Sequence, residues 1–206
     1  MSEAPAAPAP DVRPGKSART RAALRDMALK HFVEHGFDRA NVPAIAAECG
    51  VTERTFYRHF ATKDELLDEA FRYAAEAELA VLRGLAAVDL PPRERLDAVI
   101  EEFRPRGDFG SWKLWIEGWA EALRSERFRA TSRELDEAWI GVLEDTIAAG
   151  VASGDFTCAS PHDSAWRLSC LIEGLTIQLV AHGGTIDRTE MGRLIDAAVS
   201  AEISSG

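Results

Sequence analysis

NVPAIAAECGVTERTFYRHF, residues 41–60, decides the fold. Val42, Ile45, Ala46 and Cys49 recur at helical spacing and share one face. Gly50 follows them, where a helix C-terminus needs a residue that tolerates the left-handed conformation. Thr52 is a good N-cap for a second helix. In that helix Phe56 and Phe60 share a face and can pack inward with Val51. Arg54, Thr55, Tyr57, Arg58 and His59 are left pointing outward or sideways. Ala46 is small enough to let the two helices cross closely. The pattern predicts a helix-turn-helix, whose second helix commonly lies in the DNA major groove.

Working outward, a helix is expected from about Ser17 to His35, with Leu24, Met27, Ala28 and Phe32 as its buried stripe. Gly36 ends it and Phe37 anchors the chain in a small core. Asn41 can cap the next helix and turn its backbone N–H groups toward a phosphate. Pro43 fits the first turn, where its missing N–H costs nothing. Beyond the motif, Thr62 and Glu65 form a T-x-x-E capping box for a helix from about Lys63 to Gly84. Lys63 opposes that helix's dipole, which favours a task outside the helix, a phosphate contact. Lys16, Arg19, Arg21 and Arg25 precede the motif. For Arg19 and Arg21 an arm into the minor groove and a solvated helix face are equally open; Arg25 reads as solvated face. Residues 1–15, rich in Ala and Pro, read as a disordered tail.

Residues 36–71, GFDRANVPAIAAECGVTERTFYRHFATKDELLDEAF, resemble the DNA-binding signature of the TetR family of one-component transcriptional regulators. The stretch from Trp112 to Gln178 is similar to the ligand-binding domain of the choline-responsive BetI-like branch. The resemblance implies an all-α protein of about nine helices, with a DNA-binding head at 16–62 and an effector-binding and dimerisation domain at 63–206. It also implies that Thr52, Arg54, Thr55, Tyr57, His59 and Lys63 face the groove or flanking phosphates. Arg54 and Thr55 are placed for base edges, Tyr57 and His59 for backbone.

The net charge of −10 looks wrong for a DNA-binding protein until the chain is divided. Residues 1–63 hold 10 of the 24 Lys and Arg and 7 of the 34 Asp and Glu, a net +3; the rest of the chain is −13. Basic charge sits with the motif, as phosphate contact requires. No apolar run approaches the roughly 20 residues of a membrane span, and the N-terminus lacks a signal peptide's apolar core. A cytoplasmic location without membrane contact is expected. Cys49, Cys158 and Cys170 are widely spaced and suggest free thiols. There is no GxSxG, Walker loop, dinucleotide fingerprint or HExxH. His31, His35, His59, His162 and His182 do not cluster at metal spacing. An enzyme, a metal site and a cofactor are therefore not expected.

The rest of the chain reads as helix. Segments are expected from Pro92 to Phe103, over 109–125, from Glu126 to Gly154, from Pro161 to His182 and from Asp187 to Ile203, with RPRGDFG as a break. Trp112, Trp115 and Trp119 form a stripe with Ile116 and Leu123; core and pocket wall are both open for it. Glu117 and Glu121 point away from that stripe. Glu173 lies in the most apolar helix, on a face with Trp166, Ser169, Ile177 and Val180. A carboxylate there is paired, at an interface edge or functional. The other apolar face of this helix carries Leu168, Leu171, Ile172, Leu175 and Leu179. In the family the last two helices form a four-helix dimer interface; an ordinary buried helix in a monomer is the alternative. The acidic body, its five Trp and Glu173 favour a cationic effector, choline-like or polyamine-like, although a neutral aromatic or lipid-like ligand suits Trp equally. The reading is a homodimeric repressor released from its DNA operator by a small effector. The alternative is an all-helical binding protein or enzyme acting through its C-terminal pocket.

Overall fold

The computed structural model describes residues 15–105, 107 and 109–205. The expected tail at 1–15 lies, except for Gly15, outside the described residues. Among those described, the helices are α1 (Lys16–His35), α2 (Val42–Glu48), α3 (Glu53–His59), α4 (Lys63–Ala86), α5 (Pro92–Phe103), α6 (Gly110–Ala122), α7 (Glu126–Ser153), α8 (Pro161–Val180) and α9 (Arg188–Glu202). This is the all-α, nine-helix plan that the resemblance implies.

Local chemistry starts most of these helices. Asn41, Thr52, Thr62, Ser125, Ser160 and Asp187 each accept the backbone N–H three residues on, satisfying a donor that the first turn leaves open. The box at α4 closes one residue early: Glu65 takes the N–H of Ala61, at 2.8 Å, rather than that of Thr62.

α2 and α3 cross at Ala46, which is 1% exposed. Gly50 turns the chain between them at φ +65°, and the Val51 N–H returns to the Ala46 carbonyl at 2.9 Å. Phe56 and Phe60 are fully buried beside Leu24, Phe32 and Ile45. The core does not stop at the head. It continues through Leu66, Ala70 and Phe71 of α4 into Leu114 and Trp115 of α6 and Phe128 and Leu135 of α7. A second core joins the far half of α4 to α5, α7, α8 and α9. α6 and α4 meet closely at Gly118, where an added Cβ would lie 2.7 Å from the Phe71 ring.

One element goes beyond the all-helix reading. β1 (Phe156–Thr157) and β2 (Ser204–Ser205) pair antiparallel, Phe156 opposite Ser205 and Thr157 opposite Ser204. Strands of two residues carry no alternation to read. Among the described residues no helix is long and apolar enough to cross a membrane.

Candidate functional site

The outer face of α3 carries the first set of candidates. Arg54 and Arg58 are exposed, and Tyr57 is 53% exposed with its ring edge-on to Phe56. Thr55 is half-buried; its hydroxyl lies 3.1 Å from that of Thr52. Asn41 is exposed at the start of α2, its side-chain oxygen on the Ala44 N–H at 3.1 Å. His59 is half-buried. Lys63 is half-buried and reaches the backbone carbonyls of Phe37 and Asp38 at 3.3 and 3.4 Å. Arg19 is exposed at the start of α1.

Arg21 does not belong with these, and here the structure corrects the sequence. Its guanidinium lies 4.0 Å over the Phe60 ring and donates to both oxygens of Glu69, to Glu65 and to the His59 carbonyl. All its charge is spent holding α1 to α4 and to the end of α3. A charge-assisted bidentate pair of this kind positions elements and leaves nothing for a minor groove.

The second set surrounds a cavity of about 160 Å³ between α4, α5, α6, α7 and α8. Trp112, Trp115 and Trp119 of α6 and Glu173 of α8 all line it. The sequence-based set missed Trp139 and Asp136 of α7, Glu78 of α4, and Phe103 and Arg104 at the end of α5, which line it too. Trp119 stands 6.3 Å from Trp112 and 6.2 Å from Trp115, ring centre to ring centre. Trp115 is edge-on to Trp139 at 6.0 Å, and Trp139 to Phe103 at 5.2 Å. Trp115 serves core and wall at once: it packs against Phe71 at 5.1 Å and donates its indole N–H to Glu78 at 3.0 Å. Ser111 donates to the same carboxylate.

Two wall carboxylates are held away from their ordinary state. Burial pushes Asp136 up to about 6, partly offset by Trp119 and Ser132. Burial and the neighbouring Asp136 push Glu173 up to about 7, with only the Ser169 hydroxyl, at 3.3 Å, favouring its ionised form. Near neutral pH the pair is poised to gain from a positive charge placed between aromatic faces.

Trp166 and Ile177 are not on this wall. Trp166 is 42% exposed and stands beside His162, ring centres 6.5 Å apart. It shares a helix face with Glu173 but stands seven residues, roughly 10 Å of rise, before it, beyond the end of the cavity. Glu117 and Glu121 do point elsewhere, to the Phe37 N–H and to Arg124. The dimer set also needs correction. Leu168 is 1% and Ile172 0% exposed inside the protomer's own second core, so neither can meet another subunit. Leu175 and Leu179 pack partly against that core, and Leu171 is half-buried. The face of α8 turned outward instead carries Trp166, Cys170 and Gly174.

Comparison with known proteins agrees with this anatomy. The model of bacterial regulatory proteins of the tetR family matches residues 24–70, and that of the BetI-type transcriptional repressor C-terminal domain matches residues 92–204. The HTH-type transcriptional repressor KstR2 of Rhodococcus jostii is 28% identical over 184 residues, covering 87% of this chain and 88% of that one. The HTH-type transcriptional regulator BetI of Burkholderia thailandensis is 25% identical over 170 residues, covering 81% and 85%. A transcriptional regulator from Saccharomonospora viridis, solved in complex with choline, shares the fold with a TM-score of 0.83 at 24% identity, over 92% of this chain and 99% of that chain. With its head matched by one model and more than half its length by the other, the chain belongs to the TetR family of bacterial regulatory proteins and carries a BetI-type repressor domain.

Proposed function

We propose that this DNA-binding repressor leaves its operator when a small organic cation enters the Trp-lined cavity. The observation that carries the reading is the wall itself: the indoles of Trp112, Trp115, Trp119 and Trp139 beside the half-buried carboxylates of Asp136 and Glu173. Aromatic faces attract a desolvated cation by about 2 kcal/mol. Partly desolvated carboxylates, costly when ionised without a partner, supply the counter-charge. A cavity of about 150 Å³ accepts a benzene-sized guest, so the volume here suits an occupant of about six to eight non-hydrogen atoms, smaller than a linear triamine. A regulator of the same fold was crystallised with choline, a cation of that size.

The rest of the mechanism needs no chemistry, only coupling. α6 carries three of the cavity's Trp and also reaches the end of α1 through Glu117 and Phe37. A shift of α6 on binding moves the head, changes the separation of the two recognition helices in a dimer and lowers operator affinity. On DNA, Arg54 and Thr55 read base edges, while Asn41, Thr52, Tyr57, His59, Lys63 and Arg19 hold phosphates. The dimer forms through α9 and the outward face of α8 around Trp166, with Leu171 at its margin. Calorimetric titration tests the effector reading with choline and its neutral carbon isostere 3,3-dimethyl-1-butanol. The cation binds at least tenfold more tightly and releases the protein from its own promoter DNA. Equal binding of the two overturns the electrostatic reading.

A further inference from the structure

The side of α4 that faces away from the cavity is apolar and exposed. Tyr73, Ala77, Ala80, Val81 and Gly84 lie on it, with Val88 in the turn that follows the helix. At helical spacing these residues fall within about 100° of one another around the axis and run about 22 Å along it. Tyr73, Val81 and Val88 are 46%, 51% and 43% exposed, which puts half of the large hydrophobic side chains left open among the described residues on this one strip. Arg25 stacks over the Tyr73 ring at 3.3 Å and still leaves it that open. Gly84 is the unexpected member. Glycine weakens a helix relative to alanine, and no atom of the protomer lies within 4 Å of where its Cβ would stand. Packing within the protomer gives no reason for it, whereas close approach of a second backbone does. Single exposed apolar side chains are ordinary, but a contiguous strip marks a contact surface.

We infer that this strip receives the same strip of a second copy, α4 antiparallel to α4, and so joins one repressor dimer to another. Its order is self-complementary. About a two-fold axis between Ala80 and Val81, Tyr73 meets Val88 of the other copy, Ala77 meets Gly84, and Ala80 meets Val81. Bulk lies at the ends and small side chains at the centre, where two helices must approach most closely. The flanking charges choose the direction. Glu76 and Arg83 are exposed along the same edge of the strip. Arg83 has no ion pair among the described residues, and Glu76 has only a 3.7 Å contact with Arg72, whose two outer nitrogens are held by Glu134. In the antiparallel pair Glu76 of each copy stands on the same side as Arg83 of the other, within one helical turn of it, and the contact is made twice, as an isologous interface requires. A parallel pair would put these charges on opposite sides and leave both unmatched. Each head sits at the start of its α4, so the antiparallel contact sends two heads out at opposite ends. The four-chain assembly bridges two operator segments instead of crowding onto one.

The test is sedimentation velocity on the full chain up to about 100 µM, above the micromolar affinity expected of a small interface. The parent shows two-chain and four-chain particles in a concentration-dependent equilibrium, and the four-chain particle takes up two labelled operator duplexes. Ala80→Glu puts like charges at the centre of the strip. It weakens the four-chain particle at least tenfold, while the two-chain particle, its melting temperature and its operator affinity stay as in the parent, because residue 80 is exposed. Glu76→Arg and Arg83→Glu each weaken the assembly, and the double exchange restores it. A parent that remains at two chains throughout overturns the inference, as does a four-chain particle indifferent to Ala80→Glu. Failure of the double exchange to restore assembly, or uptake of a single duplex, overturns the antiparallel register. Dissociation of Ala80→Glu to single chains would make α4 the primary dimer contact and overturn the pairing of dimers. None of these outcomes bears on the cavity or its ligand.

Discussion

Glu117 accepts the backbone N–H of Phe37 across 3.4 Å. The bond joins α6 to the corner where α1 ends and the chain turns toward the helix-turn-helix. Gly36 lies under the same carboxylate: a Cβ there would sit 3.1 Å from a Glu117 oxygen. Lys63 holds the corner from the other side through the Phe37 carbonyl. The backbone of one residue, Phe37, therefore connects the helix that carries three of the cavity's Trp residues to the helix that follows the recognition element.

Removing that contact uncouples the sites. In Glu117→Ala, effector affinity stays within about threefold of the parent, because Glu117 is not on the cavity wall. The drop in operator affinity on adding effector, about 5- to 150-fold for typical couplings, shrinks toward none. Fluorescence anisotropy of labelled operator with and without effector measures this. An undiminished drop would place the coupling elsewhere.

Two neighbouring arginines should separate cleanly. If Arg19 meets a phosphate, as proposed, Arg19→Ala lowers the slope of log affinity against log salt by about one with no change in melting temperature. Arg21→Ala breaks the tie among α1, α3 and α4 and lowers the melting temperature. Arg54→Ala instead relaxes preference at one base position per half-site, at about 1–3 kcal/mol. Binding curves at several salt concentrations and a thermal melt distinguish the three.

The raised carboxylates give opposite pH trends for stability and binding. Asp136 and Glu173 titrate near 6 and 7 when folded, against ordinary values of 3.8 and 4.5. Between those limits the folded state holds more protons than the unfolded state. Stability of the free protein is thus highest below the ordinary values and declines as pH rises through 6 and 7. A cation needs the ionised pair, so its affinity climbs across the same window and levels off above about 7. The shift in melting temperature caused by choline therefore grows from pH 5.5 to 7.5, measured by differential scanning fluorimetry. In Glu173→Gln that growth is reduced and affinity at pH 7.5 falls about tenfold.

Substitutions on the two faces of α8 have different consequences. Leu168→Ala opens a void in the protomer core and costs about 2–5 kcal/mol, whatever the oligomeric state. Trp166→Asp leaves the protomer folded, yields a monomer in analytical ultracentrifugation and abolishes operator binding. A Trp166→Asp dimer would move the interface off this face.

The helix-turn-helix was legible because its signals are local. Asn41, Thr52 and Gly50 act within a turn of themselves, and the burial of Ile45 and Phe56 follows from period alone. The cavity was half legible. Trp112, Trp115, Trp119 and Glu173 stand out in apolar helices. Asp136 does not, because RELDE, residues 133–137, reads as a solvated acidic run, and only packing against α6 and α8 turns one of its acids inward. Arg104 was hidden in a segment that reads as a break. The faces of α8 were ambiguous for a physical reason: both are apolar, and which one meets the protomer depends on partners far along the chain. Arg21 was misread because its partners Glu65 and Glu69 lie 44 and 48 residues away.

The continuous first core limits how this protein can be recombined. Leu66, Ala70 and Phe71 belong to it together with Leu24 and Phe56, and Phe128 and Trp115 close it from the far domain. A cut between Thr62 and Lys63 would pass through hydrophobic packing and strip Arg21 of both its carboxylate partners. Heads traded between regulators of this kind can be grafted only with their half of α4, past Ala75, and the recipient must present an α6 that is bare enough, as at Gly118, to receive the incoming Phe71. Operator specificity in this architecture is inherited along with a strip of the sensor's own packing.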